Sequence, residues 1–297
     1  MTILVTGAGG QLGSELAARL GRRATAYDRD LLDITEAIEV VMLLDHEDED
    51  DSIEAVVNCA AYTHVDAAET SAEQCFRVNA DAVETLARTC AARDIPLVQI
   101  STDYVFGGDR GRTTPYTEDD SPAPVNVYGE SKLAGERFAA SCPKHLVVRT
   151  CGLYAAPRAF QQVTNFAQTM LRLGRERNAV RVVADQVCSP TYVPHLAAAV
   201  LFLLEREAWG TYHVVDRGAV SWCEFAVELF RQAGVNTRVE AITTQEYAKT
   251  KEPIAPRPKY SVLDTTIYAR LGGPGLPTWR EGIAAYLAAL TRDSASS

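Results

Sequence analysis

The run Ile3-Leu4-Val5-Thr6-Gly7-Ala8-Gly9-Gly10-Gln11-Leu12-Gly13-Ser14-Glu15-Leu16 decides how the rest of the chain is read. Ile3 to Thr6 is apolar and partly β-branched, which predicts a short buried strand. Glycines follow at once, and from Gln11 to Leu20 apolar residues recur at helical spacing. A strand, a glycine turn and a helix in that order form the setting of a dinucleotide site, here spaced G-x-x-G-x-x-G. Gly7 is read as the tight turn, Gly10 as the point where backbone approaches a pyrophosphate, and Gly13 as the close helix contact. Gln11 and Leu12 open the helix, whose N-terminus faces the anion. A glycine turn is also a common plain connector, so the remaining sequence has to agree.

Outward from this loop, short β-branched runs alternate with amphipathic segments up to about residue 150. Strands are expected at 3–6, 24–27, 55–58, 97–100 and 146–149, and helices at 11–20, 72–93 and 127–140. That order predicts an α/β fold: a doubly wound parallel sheet of the Rossmann kind over residues 1–150. Beyond it the rhythm weakens, and proline-bearing stretches at 188–194 and 251–258 read as loops. Residues 151–297 are expected to form mainly a smaller, discontinuous substrate lobe, with segments at about 180–216 returning to the sheet. Strands at 180–183 and 212–215 and helices at 221–233 and 278–290 are predicted there. The acidic run His46 to Asp51 reads as a solvated loop or helix end, because adjacent carboxylates repel one another.

The composition narrows the function. A chain of 297 residues, 47% hydrophobic, can bury one large core with a smaller appended lobe. The net charge of -10 offers no electrostatic footprint for nucleic acid or an anionic membrane. Seven scattered cysteines without a CxxC spacing predict neither disulfides nor a zinc site, which fits a reducing cytoplasm. No apolar run approaches the roughly 20 residues that span a bilayer, and no basic segment precedes a long apolar stretch at the N-terminus. A soluble, unprocessed, cytoplasmic protein is expected.

Two further elements complete a chemistry. The second strand ends at Asp28-Arg29-Asp30, where a carboxylate could accept from ribose hydroxyls and Arg29 could pair with a 2′-phosphate. NADPH and NADH therefore both stay open, with a lean toward NADPH. Ala60, Ala61 and Tyr62 follow the third strand, where small side chains would admit a nicotinamide ribose. Tyr128 and Lys132 stand four apart on a predicted helix, so phenol and ammonium share a face. An ammonium beside it favours the phenolate, making Tyr128 a usable proton donor to a carbonyl that receives hydride. The fourth strand ends at Ser101-Thr102, and alternation points one hydroxyl away; Thr102 is assigned to the substrate oxygen beside Tyr128.

With these residues in view, the chain resembles the extended short-chain dehydrogenase/reductases, and within them the dTDP-4-dehydrorhamnose reductases. ILVTGAGGQLGSEL, VVNCAAYTHVDAAE, VNADAVETLA, STDYVFGG, PVNVYGESKLAGE, VVRT, NFAQTML, ADQVCSPTY and RPKYSVLDT carry the resemblance in order along most of the chain. It implies NAD(P)H-dependent reduction of the 4-keto group of a dTDP-linked 6-deoxyhexose. It also implies that Tyr128 donates the proton, that Lys132 supports it and binds coenzyme, and that Thr102 is the hydroxyl partner. Gly10, Gln11 and Leu12 would hold pyrophosphate, Ala60 to Tyr62 would lie along the coenzyme, and Tyr104 and Val105 would approach the sugar nucleotide. Arg257 would pair with the diphosphate, since a guanidinium matches phosphate oxygens bidentately. Cys151-Gly152 stands where the family often has Ser-Trp, so an aromatic wall near the sugar is expected to be missing. Glu15 matches one position of an interface magnesium in some relatives, but Tyr192 to His195 add no carboxylates, and no metal is expected.

His64, His195 and His213 lack ligand spacing and read as structural or surface residues, and Tyr212, Trp222 and Phe225 read as core. A homodimer is compatible with the sequence. Two other functions fit the same scaffold: a nucleotide-sugar epimerase or dehydratase that recycles its nicotinamide, and a regulatory subunit resembling that of methionine adenosyltransferase. Retention of Tyr128 and Lys132 speaks against the regulatory role.

Overall fold

The computed structural model describes residues 2–45, 52–157, 164–250 and 254–295. The first part alternates as the sequence predicts: β1 (Thr2–Thr6), α1 (Gln11–Leu20), β2 (Ala24–Tyr27), α2 (Ala37–Leu44), β3 (Ile53–Asn58), α3 (Val65–Ala68), α4 (Ala72–Phe76), α5 (Ala82–Ala92), β4 (Leu97–Thr102), α6 (Val127–Ala139) and β5 (His145–Thr150). The helix expected over 72–93 is interrupted by a π turn at Arg77–Asp81, which divides α4 from α5.

The second part contains α7 (Phe166–Glu176), β6 (Ala179–Val183), β7 (Val187–Cys188), α8 (Val193–Glu205), β8 (Gly210–His213), β9 (Val220–Ser221), α9 (Trp222–Ala233), β10 (Arg238–Ile242), α10 (Thr244–Ala248), α11 (Thr266–Arg270) and α12 (Trp279–Ala295). Helix α9 starts at a capping box, Ser221 with Glu224, and stops at Gly234 in the left-handed conformation.

The main sheet has six strands in the order β2-β1-β3-β4-β5-β8, and all its pairings are parallel. The chain departs from β1 to opposite sides, so the switch point lies between β1 and β3, where such sheets bind ligands. One face is covered by α1 and α8, through Leu12, Leu16, Leu196 and Leu203. The other is covered by α2, α5 and α6, through Val40, Leu86 and Ala139 against Leu4, Val56 and Val147. A third cluster, with Val180, Phe225, Leu229 and Tyr286, lies among β6, α9 and α12.

One expected strand falls elsewhere than foreseen, and another joins the main sheet as expected but starts two residues earlier. Residues 179–183 pair with β10 in a separate parallel ribbon and do not return to the main sheet. The strand expected at 212–215 is formed by Gly210–His213 and joins the main sheet beside β5, because α8 carries the chain back as a parallel crossover. The acidic run 46–51 lies outside the described residues, as do Lys251, Glu252 and Pro253 of the second proline stretch. No helix among the described residues is long and apolar enough to cross a membrane.

Candidate active site

The glycine loop is shaped by close approaches that no side chain could share. Gly7 has φ +66°, and a Cβ there would lie 2.6 Å from the Ala60 nitrogen. At Gly13 a Cβ would meet the Gly7 carbonyl oxygen at 2.3 Å. The β1 and β3 turns therefore nest against each other across the switch point, and α1 begins at Gly10 with no side-chain cap. A glycine loop leading into a helix N-terminus is a cradle for a pyrophosphate, so the residues present fit a nicotinamide dinucleotide. Gln11 turns its amide away from the loop, donating to the Leu153 carbonyl at 3.3 Å and accepting from Asn165 at 2.9 Å.

Below the loop, polar side chains link successive strand ends. Thr6 donates to Asn58 at 2.6 Å, Asn58 to Gln99 at 2.7 Å, and Gln99 to the Ile100 carbonyl at 3.1 Å. That carbonyl also accepts from the Lys132 ammonium at 2.6 Å. Lys132 is only 3% exposed, and burial pulls its pKa down from 10.5 to about 8, against the opposing pull of Glu136.

Helix α6 is capped by Asn126, which accepts from Gly129 N at 2.7 Å. A Cβ at Gly129 would lie 2.2 Å from the Tyr104 carbonyl oxygen, so the glycine of Tyr128-Gly129-Glu130 lets α6 press against the end of β4. This contact sets Tyr128 in the lining of the same cavity as Thr102. Burial raises the Tyr128 pKa above its ordinary value, and the neighbouring Thr102 opposes that rise. A phenol kept protonated is a donor and not a base. Thr102 also accepts from Tyr104 N at 3.2 Å and donates to Asp103 at 3.1 Å. Ser101 points to the other side of the strand, donating to Glu136 at 2.5 Å.

These groups border a cavity of about 240 Å³ whose lining includes Thr63, Thr102, Asp103, Tyr104, Tyr128, Cys151, Gly152, Gln186, Cys188, Trp222 and Ser261. Sequence reasoning missed Asp103. Its carboxylate, 2% exposed, accepts from Ser261 at 2.6 Å, and burial raises its pKa to about 6 against the hydrogen bonds from Ser261, Cys151 and Thr102. It missed Asn79 too, which accepts from Tyr62 N at 2.9 Å and donates to Ser131 at 3.0 Å, fixing the Tyr62 turn against α6. The π turn that holds Asn79 is not visible as a pattern in the residues. Asp103 was legible: a carboxylate directly after Thr102 at a strand end is a signal on its own.

Other candidates stand apart from the cavity. Val105 is fully buried with Phe106 and Tyr116, because the 3₁₀ turn Asp103–Val105 directs it inward. Arg257 is paired with Asp66 and also donates to the Ala255 carbonyl at 2.6 Å; its neighbour Pro258, not Arg257, lines the cavity. Asp28 accepts from Asp30 N and Leu31 N in a turn, while Arg29 is 75% exposed and 3.5 Å from Asp33. Trp222 borders the cavity as well as the core, contrary to its reading as core alone. His213 is buried and its pKa is pushed down to about 3 by burial and the Arg149 charge, so the ring is neutral. Glu15 pairs with Arg19 at 2.7 Å, and no group of three potential metal ligands exists among the described residues.

A family model described as the RmlD substrate binding domain matches residues 1–292. The chain belongs to that family. A dTDP-4-dehydrorhamnose reductase of Mycobacterium tuberculosis (strain ATCC 25618 / H37Rv) is 39% identical over 295 residues, covering 97% of this chain and 92% of the relative. The spore coat polysaccharide biosynthesis protein SpsK of Bacillus subtilis (strain 168) is 37% identical over 289 residues, covering 96% of each. The crystal structure of dTDP-4-dehydrorhamnose reductase from Bacillus anthracis str. Ames in complex with NADP superimposes with a TM-score of 0.88 at 37% identity, covering 97% of this chain and 99% of that one. Membership of the RmlD family accounts for both the parallel sheet and the order of the motifs along it.

Proposed function

We propose that the chain reduces dTDP-4-dehydrorhamnose to dTDP-L-rhamnose with NAD(P)H, in nucleotide-sugar and cell-surface polysaccharide synthesis. The observation that carries this reading is that Tyr128 and Thr102 line one cavity, with the buried Lys132 ammonium held on the carbonyl of Ile100, two residues before Thr102.

Gly7, Gly10, Gln11, Leu12 and Gly13, with Ala60, Ala61 and Tyr62 alongside, would hold NAD(P)H, which when bound would supply the hydride. Thr102 and Tyr128 bind the 4-keto oxygen and orient it. Tyr128 O–H breaks and its proton goes to that oxygen as negative charge develops there. Lys132, anchored on the Ile100 carbonyl, stabilises the resulting phenolate by its charge. Without substrate the Thr102 hydroxyl donates to Asp103; with substrate bound, that hydrogen turns to the 4-keto oxygen. Tyr104 borders the sugar, while the buried position of Val105 argues against direct contact.

NADPH is favoured: Arg29 is an exposed guanidinium beside Asp28 at the end of β2, suited to a 2′-phosphate, and a relative was crystallised with NADP. Arg257 reaches a diphosphate only by leaving Asp66, so its proposed role is an exchange of partners. Residues 1–150 as coenzyme unit and 151–297 as mainly substrate lobe, a cytoplasmic location and a homodimer belong to the same proposal.

The test is a spectrophotometric assay with dTDP-4-keto-L-rhamnose, run in parallel with NADH and NADPH. Stoichiometric loss of reduced coenzyme is expected. Turnover of sugar with no net oxidation would favour an epimerase and refute the reductase.

A further inference from the structure

The lining of the cavity includes the polar groups of Thr102, Asp103 and Tyr128 together with Trp222. The indole belongs to the first turn of α9, whose start is fixed by the Ser221 and Glu224 capping box. Phe166 packs on the ring at 4.6 Å between centroids. The far edge, Cη2, lies 2.7 Å from where a Cβ at Gly152 would be, and Gly152 has φ +51°. A side chain at 152 and the indole edge at its present place exclude each other.

We infer that Trp222 is a substrate-recognition residue: its indole edge, admitted by the missing side chain at Gly152, forms the apolar wall against the sugar ring of a deoxyhexose nucleotide. The inference rests on the function proposed above and names the residue that selects the sugar. A 6-deoxyhexose presents hydroxyl edges together with a C–H and methyl face. Thr102 and Tyr128 take the keto oxygen and the polar side chains of Asp103 and Gln186 face the hydroxyl edges, while the apolar face needs an aromatic or aliphatic surface of the kind that ligand pockets supply. Val187, Cys188 and Trp222 provide that surface. The sequence appeared to lack an aromatic wall at Cys151-Gly152; the wall is instead delivered from α9, some seventy residues downstream in the chain.

The protein has three tryptophans, and neither Trp209 nor Trp279 lines the cavity. Titration of the purified full chain with dTDP-L-rhamnose, and separately with dTDP-glucose, should therefore quench a fluorescence component that Trp222→Phe removes. Trp222→Ala should raise KM for the keto sugar about tenfold or more, as expected for lost contact in an apolar pocket, with KM for NADPH changed less than twofold. Trp222→Phe should restore part of that loss. Gly152→Ala should displace the indole and move KM in the same direction; thermal melts of every variant check folding, and Trp222→Phe, the mildest change, keeps the test valid if Gly152→Ala unfolds. Quenching retained in Trp222→Phe, or keto-sugar KM within twofold of wild type in Trp222→Ala, overturns the inference while leaving the reductase standing. Trp222-dependent quenching without NADPH oxidation by the wild type overturns the reductase and leaves the wall standing. No quenching by either dTDP-sugar overturns the wall.

Discussion

Replacing Lys132 by methionine should make the coenzyme-free protein more stable near neutrality while abolishing reduction. Lys132 is buried, its ammonium meeting the Ile100 carbonyl, and its pKa falls from 10.5 to about 8 because burial penalises the charged form. At about 1.4 kcal/mol per tenfold change, that gap corresponds to about 3 kcal/mol borne by the folded state when the lysine is charged. Because the folded pKa lies below the unfolded one, the penalty is fully present below about pH 8 and fades as pH rises toward 10.5. Methionine fills a similar volume without charge, and Gln99 still donates to the Ile100 carbonyl, so no acceptor is orphaned. Urea unfolding followed by circular dichroism should place Lys132→Met up to about 3 kcal/mol above wild type at pH 7, with the two curves converging as pH approaches 10.5. A difference that stays constant across that range, or a less stable variant at pH 7, would refute the reasoning.

Tyr128→Phe should lower kcat by roughly 100-fold or more, as for loss of a positioned general acid, with NADPH affinity measured by fluorescence titration unchanged. Asp103 titrates at about 6, and its protonation removes an acceptor for Thr102 and Ser261, so kcat/KM should fall below about pH 6; Asp103→Asn should abolish that limb in a pH-rate profile. Gly7→Ala should yield little folded protein, since its Cβ would strike Ala60 N at 2.6 Å, whereas Gly9→Ala, meeting only the Asp28 Cβ at 3.5 Å, should melt near wild type. Arg149→Ala should cost about 3–5 kcal/mol in denaturant unfolding, because it strands the buried Glu136 carboxylate that now accepts at 2.7 Å.

The sheet was legible because its strands are buried on both faces and read as continuous apolar runs, and the glycine loop because its close contacts leave no alternative residue. That Tyr128 and Lys132 lie one turn apart on a helix was legible from their spacing. What escaped depends on long-range packing. Residues 179–183 have the composition of any strand, and only their register with β10 removes them from the main sheet. Nothing local to Trp222 points to the cavity; the information lies in the gap at Gly152. Arg257 carried the right charge for a diphosphate, but its neutralisation by Asp66 couples residues 191 positions apart. Val105 follows Tyr104 in the 3₁₀ turn after β4, and that turn sends one to the cavity and the other into the core.

The hydrogen-bonded line from Thr6 through Asn58 and Gln99 to the acceptor of Lys132 divides the molecule into parts that evolution and engineering can alter at different rates. β2, with Asp28 and Arg29, hangs outside that line at the sheet's edge, so selectivity for one coenzyme over the other can drift or be redesigned by exchanging a few surface residues. The proton-handling machinery has less freedom, because the buried Lys132 ammonium sits on the Ile100 carbonyl where that line ends.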